Sequence, residues 1–172
     1  LYIKHEGYID VEAVKPLMDD GLLSWIKYAI VREDTSQDDY LRQLIDSVGP
    51  SHIVSGIGEQ PAITHLRDFG LTGFTSGCVC VAPKLSMDIR AAIKAGDFET
   101  AEQIRRTFEP LENLRNEINP IRVLHTAVAQ AGIAATGPLI PLLSEVGVAD
   151  RSRIKQAAAE LLEADQTAAA GA

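Results

Sequence analysis

The sequence has few cysteines, no cluster of basic residues and no long apolar run, and each shortage excludes a class of protein. The 172 residues carry a net charge of −8, which makes a nucleic acid or an anionic membrane surface a poor partner. No apolar stretch reaches the roughly 20 residues that a membrane-spanning helix needs. The two cysteines, Cys78 and Cys80, are too close together for an ordinary structural disulfide. This pattern favours a reducing, cytoplasmic setting.

Strand-like and helix-like segments alternate along the first 95 residues. Short strands are predicted at the start of the chain and near residues 24–30, 51–55 and 73–76. Helices are predicted at residues 11–19, 37–48, 60–69 and 83–95, the first of them capped by Asp10. Alternation with short connections predicts a parallel sheet with helical crossovers.

After Gly96 the pattern is helical only. Asp97 is placed to cap a long amphipathic helix, and Asn119-Pro120 ends it. The apolar stripe of the next helix is predicted to consist of Ile121, Leu124, Val128 and Ala131. A last helix begins near residue 151. We therefore expect two domains without a linker, an α/β part over residues 1–96 and a helical part over residues 97–172.

Lys27 is the most unusual residue of the predicted strands, because it lies in the nearly apolar run SWIKYAI, residues 24–30. Burying an ammonium group is costly unless the group is paired or loses its proton. A neutral lysine in an apolar pocket is a nucleophile that can form a Schiff base with a carbonyl compound. The alternative is an edge-strand lysine whose amine reaches water.

Several short segments at the ends of the predicted strands share a known pattern. They are Leu1-Tyr2, Ile26-Lys27, Ser55-Gly56 and Gly73-Phe74-Thr75-Ser76, followed by Val81-Ala82-Pro83. In this order they resemble the dihydrodipicolinate synthase / N-acetylneuraminate lyase family, the pyruvate-type class I aldolases. Ala95-Gly96-Asp97 and Glu117-Ile118-Asn119-Pro120 resemble the helical end of the same family. The resemblance covers nearly the whole chain.

This resemblance implies a TIM (β/α)8 barrel, of which the chain would supply about strands 5–8, followed by a C-terminal helical subdomain. The sequence starts without Met and as if a strand were already under way, so we expect the first four barrel strands to lie outside it. The family also implies a homotetramer built as a dimer of dimers. No cofactor is expected.

The resemblance also implies roles for seven residues. Lys27 would form the Schiff base with a 2-oxo acid, and Tyr2 would be the general acid and base beside it. Gly56 would let the substrate or the lysine approach the backbone. The remaining four are candidates for substrate binding: Thr75 and Ser76 at the end of the last strand, and Lys4 and His5 toward the variable end of the substrate. The structural alternatives are an aromatic plug for Tyr2, a plain turn for Gly56 and a solvated loop for Lys4 and His5.

The chain departs from the family pattern in the segment after Tyr2. The synthase has an arginine there that holds the carboxylate of its second substrate, whereas this chain reads IKHEGY over residues 3–8. The family's Ile-Lys-Glu-Ala is here Ile26-Lys27-Tyr28-Ala29. We therefore expect aldol cleavage or dehydration of a keto sugar acid. Dihydrodipicolinate synthase activity on pyruvate and aspartate semialdehyde, or a non-catalytic keto-acid-binding barrel, are the alternatives.

Two further residue types receive no functional role. Cys78 and Cys80 form only half of a typical metal-ligand set, so no metal site is predicted. His52, His65 and His125 are placed on the surfaces or ends of elements.

Overall fold

The computed structural model describes residues 1–5 and 9–171, which divide into two compact units. The first unit, Leu1–Ser76, combines a small sheet with helices, and the second, Gly77–Ala172, is helical. The chain is therefore an α/β protein with a helical C-terminal part, as predicted. In this division residues 77–96 group with the helical unit, and a domain boundary after Gly96 stays a prediction.

The first unit contains a parallel sheet of three short strands in the order β1-β2-β3. The strands are β1 (Tyr2–Ile3), β2 (Ile26–Tyr28) and β3 (Ile53–Ser55). The strand predicted from residue 51 begins later, because Pro50–His52 forms a 3-10 turn that opens with proline. The strand predicted at 73–76 is reduced to a single bridge between Ser55 and Phe74. Gly73, beside it, has no side chain with which to stabilise a longer ladder.

Three helices accompany the sheet: α1 (Val11–Asp19), α2 (Asp39–Val48) and α3 (Ala62–Arg67). Asp10 caps α1 by accepting from the Glu12 N–H, which confirms the predicted start of that helix. Asp38 caps α2 by accepting from the Leu41 N–H at 3.0 Å. A cap at Asp38 explains why α2 begins after the predicted residue 37.

The core of the first unit lies on one face of the sheet. The sheet contributes Ile3, Ile26, Tyr28 and Ile53 to it, and all four are completely buried against side chains of α1 and α2. Successive side chains of a strand point to opposite faces. The residues between them therefore point the other way, and these are the register-matched Tyr2, Lys27 and Val54.

The second unit contains four helices: α4 (Pro83–Ala95), α5 (Phe98–Glu117), α6 (Pro120–Gln130) and α7 (Val148–Ala170). The bounds of α4 are those predicted. Asp97 caps α5 through a backbone N–H group of the first turn, as predicted, and Asn119 caps α6 in the same way. No helix within residues 1–5 and 9–171 is long and apolar enough to cross a membrane.

The face that α6 buries differs from the apolar stripe read from the sequence. Val123, Thr126 and Ala127 are its buried residues, whereas Ile121, at the start of the predicted stripe, is 60% exposed. Apolar residues occur on both sides of this helix, so periodicity alone could not select the side that meets the core. The long helix after Asp97 was predicted to be amphipathic, and Phe108, Leu111 and Leu114 of α5 are buried.

Candidate active site

Tyr2 and Lys27 lie side by side on the sheet face that the core helices leave uncovered. Parallel pairing aligns the two residues, and the Lys27 N–H donates to the Leu1 carbonyl at 2.7 Å. The Lys27 Nζ lies 5.1 Å from the centroid of the Tyr2 ring, within range of a cation–π contact. Tyr2 is 53% exposed and Lys27 is half-buried. The two residues predicted to carry out imine chemistry are therefore neighbours.

Gly56 follows β3 and lies against the stem of Lys27. A Cβ at this position would come within 2.8 Å of the Lys27 Cγ and 2.6 Å of the Tyr28 carbonyl oxygen. The Gly56 N–H donates to that same carbonyl at 2.6 Å. A side chain here would collide with backbone that cannot move, so only glycine permits this approach between the strand end and the lysine.

Thr75 and Ser76 meet the loop that follows β3. Thr75 pairs through its backbone, since its N–H donates to the Ser55 carbonyl at 2.8 Å and its own carbonyl accepts from the Gly58 N–H at 3.0 Å. The Ser76 hydroxyl donates to the Glu59 carboxylate at 2.6 Å. Glu59 is completely buried. Glu59 therefore holds Ser76, which is predicted to bind substrate. Glu59 itself was not predicted from the sequence.

Lys4 and His5 are both exposed and directly follow β1. The rest of the segment that distinguishes this chain from the synthase pattern, residues 6–8, lies outside the described residues. The sheet therefore brings Tyr2, Lys27 and Gly56 together. It places Lys4 and His5 only at the end of β1, the strand beside Lys27.

A buried polar cluster lies behind the sheet, on the core side of β2. The Tyr28 hydroxyl donates to Asp38 at 2.5 Å, and Arg32 donates to the other carboxylate oxygen at 2.9 Å. Burial, helped by the hydrogen bond to Asp38, raises the pKa of Tyr28 above its ordinary value. Burial alone would also raise the pKa of Asp38, but the hydrogen bonds from Arg32 and Tyr28 outweigh it and hold that pKa below its ordinary value.

His65 is part of the same core and corrects the prediction that it lies on an element surface. It is 1% exposed, and its Nδ1 lies 2.8 Å from the Ser55 Oγ. Its ring meets the rings of Tyr28 and Phe69 edge-on, at centroid distances of 6.1 and 5.9 Å. Burial lowers the pKa of His65 to about 4.

The cysteines are free thiols, with Cys78 buried and Cys80 exposed. In the part of the chain that the structure describes, no group of three or more His, Cys, Asp or Glu side chains is placed to hold a metal ion.

Comparison with known proteins gives one consistent family. The model of the dihydrodipicolinate synthetase family matches residues 9–159. A 4-hydroxy-tetrahydrodipicolinate synthase of Pseudomonas savastanoi pv. phaseolicola is 34% identical over 122 residues, which are 70% of this chain and 41% of that protein. A protein of the same name from Stutzerimonas stutzeri is 33% identical over 113 residues, 65% of this chain and 38% of the relative.

A solved structure agrees with the sequence relatives. The crystal structure of dihydrodipicolinate synthase from Oceanobacillus iheyensis superposes with a TM-score of 0.76 at 25% identity, covering 96% of this chain and 53% of that chain. The chain thus spans about two fifths of the length of the curated relatives and about half of the solved structure.

Proposed function

This chain belongs to the dihydrodipicolinate synthetase family, and we propose that it supplies the lysine-bearing half of a Schiff-base-forming lyase that acts on 2-oxo acids. The observation that carries the proposal is the pairing of Tyr2 with Lys27 on the sheet face opposite the helices. Three parallel strands with helices on one face correspond to part of a (β/α)8 barrel, in which the other face is the barrel interior. We assign the three strands, together with the segment that forms the Ser55–Phe74 bridge, to about positions 5–8 of that barrel.

The proposed chemistry begins at the Lys27 amine. In its neutral form Nζ attacks the ketone carbon of a 2-oxo acid, and loss of water leaves an iminium that withdraws electrons from the neighbouring carbon. Tyr2 then transfers a proton at that carbon, giving or consuming an enamine. The enamine can add to an aldehyde, form by release of one, or lose a hydroxyl group as water.

Two features favour a hydroxyl-rich substrate over aspartate semialdehyde. The segment after Tyr2 has Lys4 and His5 and no arginine, so it lacks the rigid two-pronged donor that suits a carboxylate. The Ser76 hydroxyl donates its hydrogen bond to Glu59, so its oxygen can accept a hydrogen bond from a ligand. Substrate hydroxyls can donate to such an oxygen, whereas carboxylates cannot. We therefore propose a keto sugar acid as the substrate, undergoing aldol cleavage or dehydration.

The decisive test is covalent trapping on the full-length protein. Pyruvate with borohydride should add the reduced pyruvyl mass to the peptide that contains Lys27, because reduction fixes the iminium. Lys27→Arg should abolish the label. Lys15→Arg should retain it, since Lys15 is an exposed lysine paired with Asp19 on α1. Label on another lysine, or none at saturating pyruvate, would refute the assignment.

Tyr2→Phe separates the two roles at the site. It should leave trapping at Lys27 intact and slow turnover by about 10²-fold, the loss expected for a positioned acid–base group. A protein that traps pyruvate but turns over no 2-oxo acid would instead be a keto-acid-binding barrel. Turnover of Tyr2→Phe at the parent rate would make Tyr2 a packing residue.

A further inference from the structure

Tyr28 stands directly after the proposed Schiff-base lysine and points to the opposite face of the sheet. It is completely buried, and its register partner is Ser55 on β3. Its hydroxyl donates to Asp38, ten residues further along the chain. A short hydrogen bond thus connects the strand that carries Lys27 with the residue that caps α2.

Asp38 joins three separate parts of the unit. One carboxylate oxygen accepts from Tyr28 on β2, and the other accepts from Arg32 in the connecting loop and from the Leu41 N–H in the first turn of α2. The side chain of Asp38 therefore links the loop that follows β2 to β2 itself. We call Tyr28, Arg32 and Asp38 the tether.

We propose that the tether positions Lys27, with Tyr28 and Asp38 acting as positioning residues for imine formation; this inference rests on the proposed function of Lys27. The Leu1 carbonyl holds the backbone amide of Lys27. The tether holds Tyr28, the residue that follows Lys27. An amine must approach a carbonyl along a defined direction, so its reaction slows when its backbone shifts. A displacement of about 1 Å can lower the reaction rate by up to about 10²-fold.

The burial of the tether makes it sensitive to single changes. Asp38 is 1% exposed and the Arg32 side chain is 21% exposed. Removing one member of a buried charged pair leaves its partners without compensation, which costs more than the bond itself contributes. Tyr28→Phe removes only a hydroxyl, so it perturbs the tether while keeping the ring and its packing against His65.

Tyr40 is a matched control within the same core. It is 7% exposed, its ring centroid lies 6.4 Å from that of Tyr28, and its hydroxyl donates to the Ile9 carbonyl at 2.7 Å. Tyr40→Phe therefore removes a comparable hydrogen bond from the same cluster without touching Asp38. A general loss of stability would affect both tyrosine variants, and a positioning effect would affect only Tyr28.

The test is a double-mutant cycle on the full-length protein with Tyr28→Phe, Asp38→Asn and their combination, beside Tyr40→Phe. The rate of pyruvate trapping at Lys27 should fall about tenfold in Tyr28→Phe and in Asp38→Asn, a fraction of what full misplacement costs. The double variant should be no slower than the slower single variant, because both changes break the same unit. Tyr40→Phe should trap at the parent rate even where its melting temperature falls.

Two outcomes distinguish failure of the inference from failure of the proposed function. If the parent is labelled at Lys27 and Tyr28→Phe traps as fast as Tyr40→Phe, the tether is structural only and the inference is overturned. If the parent is not labelled at Lys27, the proposed function fails, and amide hydrogen exchange over residues 26–38 decides the tether by itself. Faster exchange in Tyr28→Phe than in Tyr40→Phe would show that the tether holds the backbone around Lys27, and equal exchange would overturn the inference.

Discussion

At the residue scale, the burial of His65 makes the stability of the fold depend on pH. Its pKa is about 4 in the folded chain against an ordinary value of 6.5. Between these values the unfolded state binds a proton that the folded state does not, so stability rises with pH across this window. Stability is therefore lost as the pH falls from about 6.5 toward 4, by up to about 3 kcal/mol for a shift of this size.

A stability profile of the full-length protein tests this expectation. The free energy of urea unfolding should fall between pH 7 and pH 5, and His65→Asn should flatten the profile, because asparagine can still bond Ser55 but does not titrate. His52→Gln, at an exposed histidine, should leave the slope of the profile unchanged. A parent profile that is flat over this range, or equally steep in His65→Asn, would contradict the role of His65.

Glu59 and Ser76 provide the second prediction at this scale, on substrate discrimination. Ser76→Ala removes the proposed acceptor, and Glu59→Gln replaces an obligatory acceptor with a side chain that can also donate, so the direction of the Ser76 hydroxyl is no longer fixed. Both variants should lower kcat/KM for a keto sugar acid by about tenfold, the worth of one lost hydrogen bond to a substrate hydroxyl. Trapping of pyruvate, which lacks those hydroxyls, should be unchanged.

Ser24→Ala is the control for this comparison, because Ser24 is exposed before β2. A coupled assay of the parent with aspartate semialdehyde completes the comparison of substrates. Robust condensation of pyruvate with that aldehyde by the parent, with no processing of any keto sugar acid, would favour the synthase and overturn the assignment of substrate class.

The sequence predicted the residues that the family motifs mark and missed those that support them. Lys27, Tyr2 and Gly56 could be predicted as site residues because they lie in short motifs at strand ends. Glu59, Asp38 and His65 were missed, because their hydrogen-bond partners are 10 to 17 residues away and no local spacing indicates the contact. An aspartate before a helix reads only as a cap, and nothing in the sequence shows that Asp38 also binds a buried tyrosine.

At the scale of elements, α4 depends on a cap that comes from another helix. Ala82 precedes α4 and has no side chain that can cap it. The carboxylate of Asp165 on α7 instead accepts from the Leu85 N–H at 2.8 Å, and Asp165 is 7% exposed. A buried acceptor at a helix N-terminus satisfies a backbone donor that the helix itself cannot.

Removing this contact should destabilise the protein. We expect Asp165→Ala to lower the free energy of unfolding by about 1–2 kcal/mol, as for an N-cap, and Asp165→Asn to retain part of it, because the amide oxygen still accepts. Glu163→Ala, at an exposed position on α7, serves as the control in urea unfolding. Equal stability of Asp165→Ala and Glu163→Ala would show that the contact contributes nothing.

The elements that the sequence predicted well are those with local signals. Asp10 and Asp97 mark helix starts through their own side chains, so α1 and α5 begin where they were expected. The strands depend on partners that are distant in sequence, and they are shorter than predicted. The buried face of α6 could not be predicted for a similar reason: the choice of face depends on where α5 and α7 lie, and periodicity does not contain that information.

At the scale of the whole molecule, the outward face of α6 has a consequence for assembly. Ile121, in the apolar stripe predicted for α6, is 60% exposed, and Ile133, just after the helix, is 44% exposed. Large apolar side chains exposed on a protein surface are typical of protein–protein contacts where they form part of a patch. We expect this face to contribute to the homotetramer that the family resemblance implies.

Sedimentation of the full-length protein tests assembly and the role of α6 together. The parent should sediment as a tetramer at micromolar concentration, and Ile121→Asp should shift it toward smaller species, because a carboxylate in an apolar interface must give up its hydration. Met87→Asp changes a residue of similar exposure, 57%, on α4, and it controls for the added charge. Dissociation by Ile121→Asp alone supports an interface on α6. A monomeric parent would remove the assembly proposal, and a tetramer that survives Ile121→Asp would place the interface elsewhere.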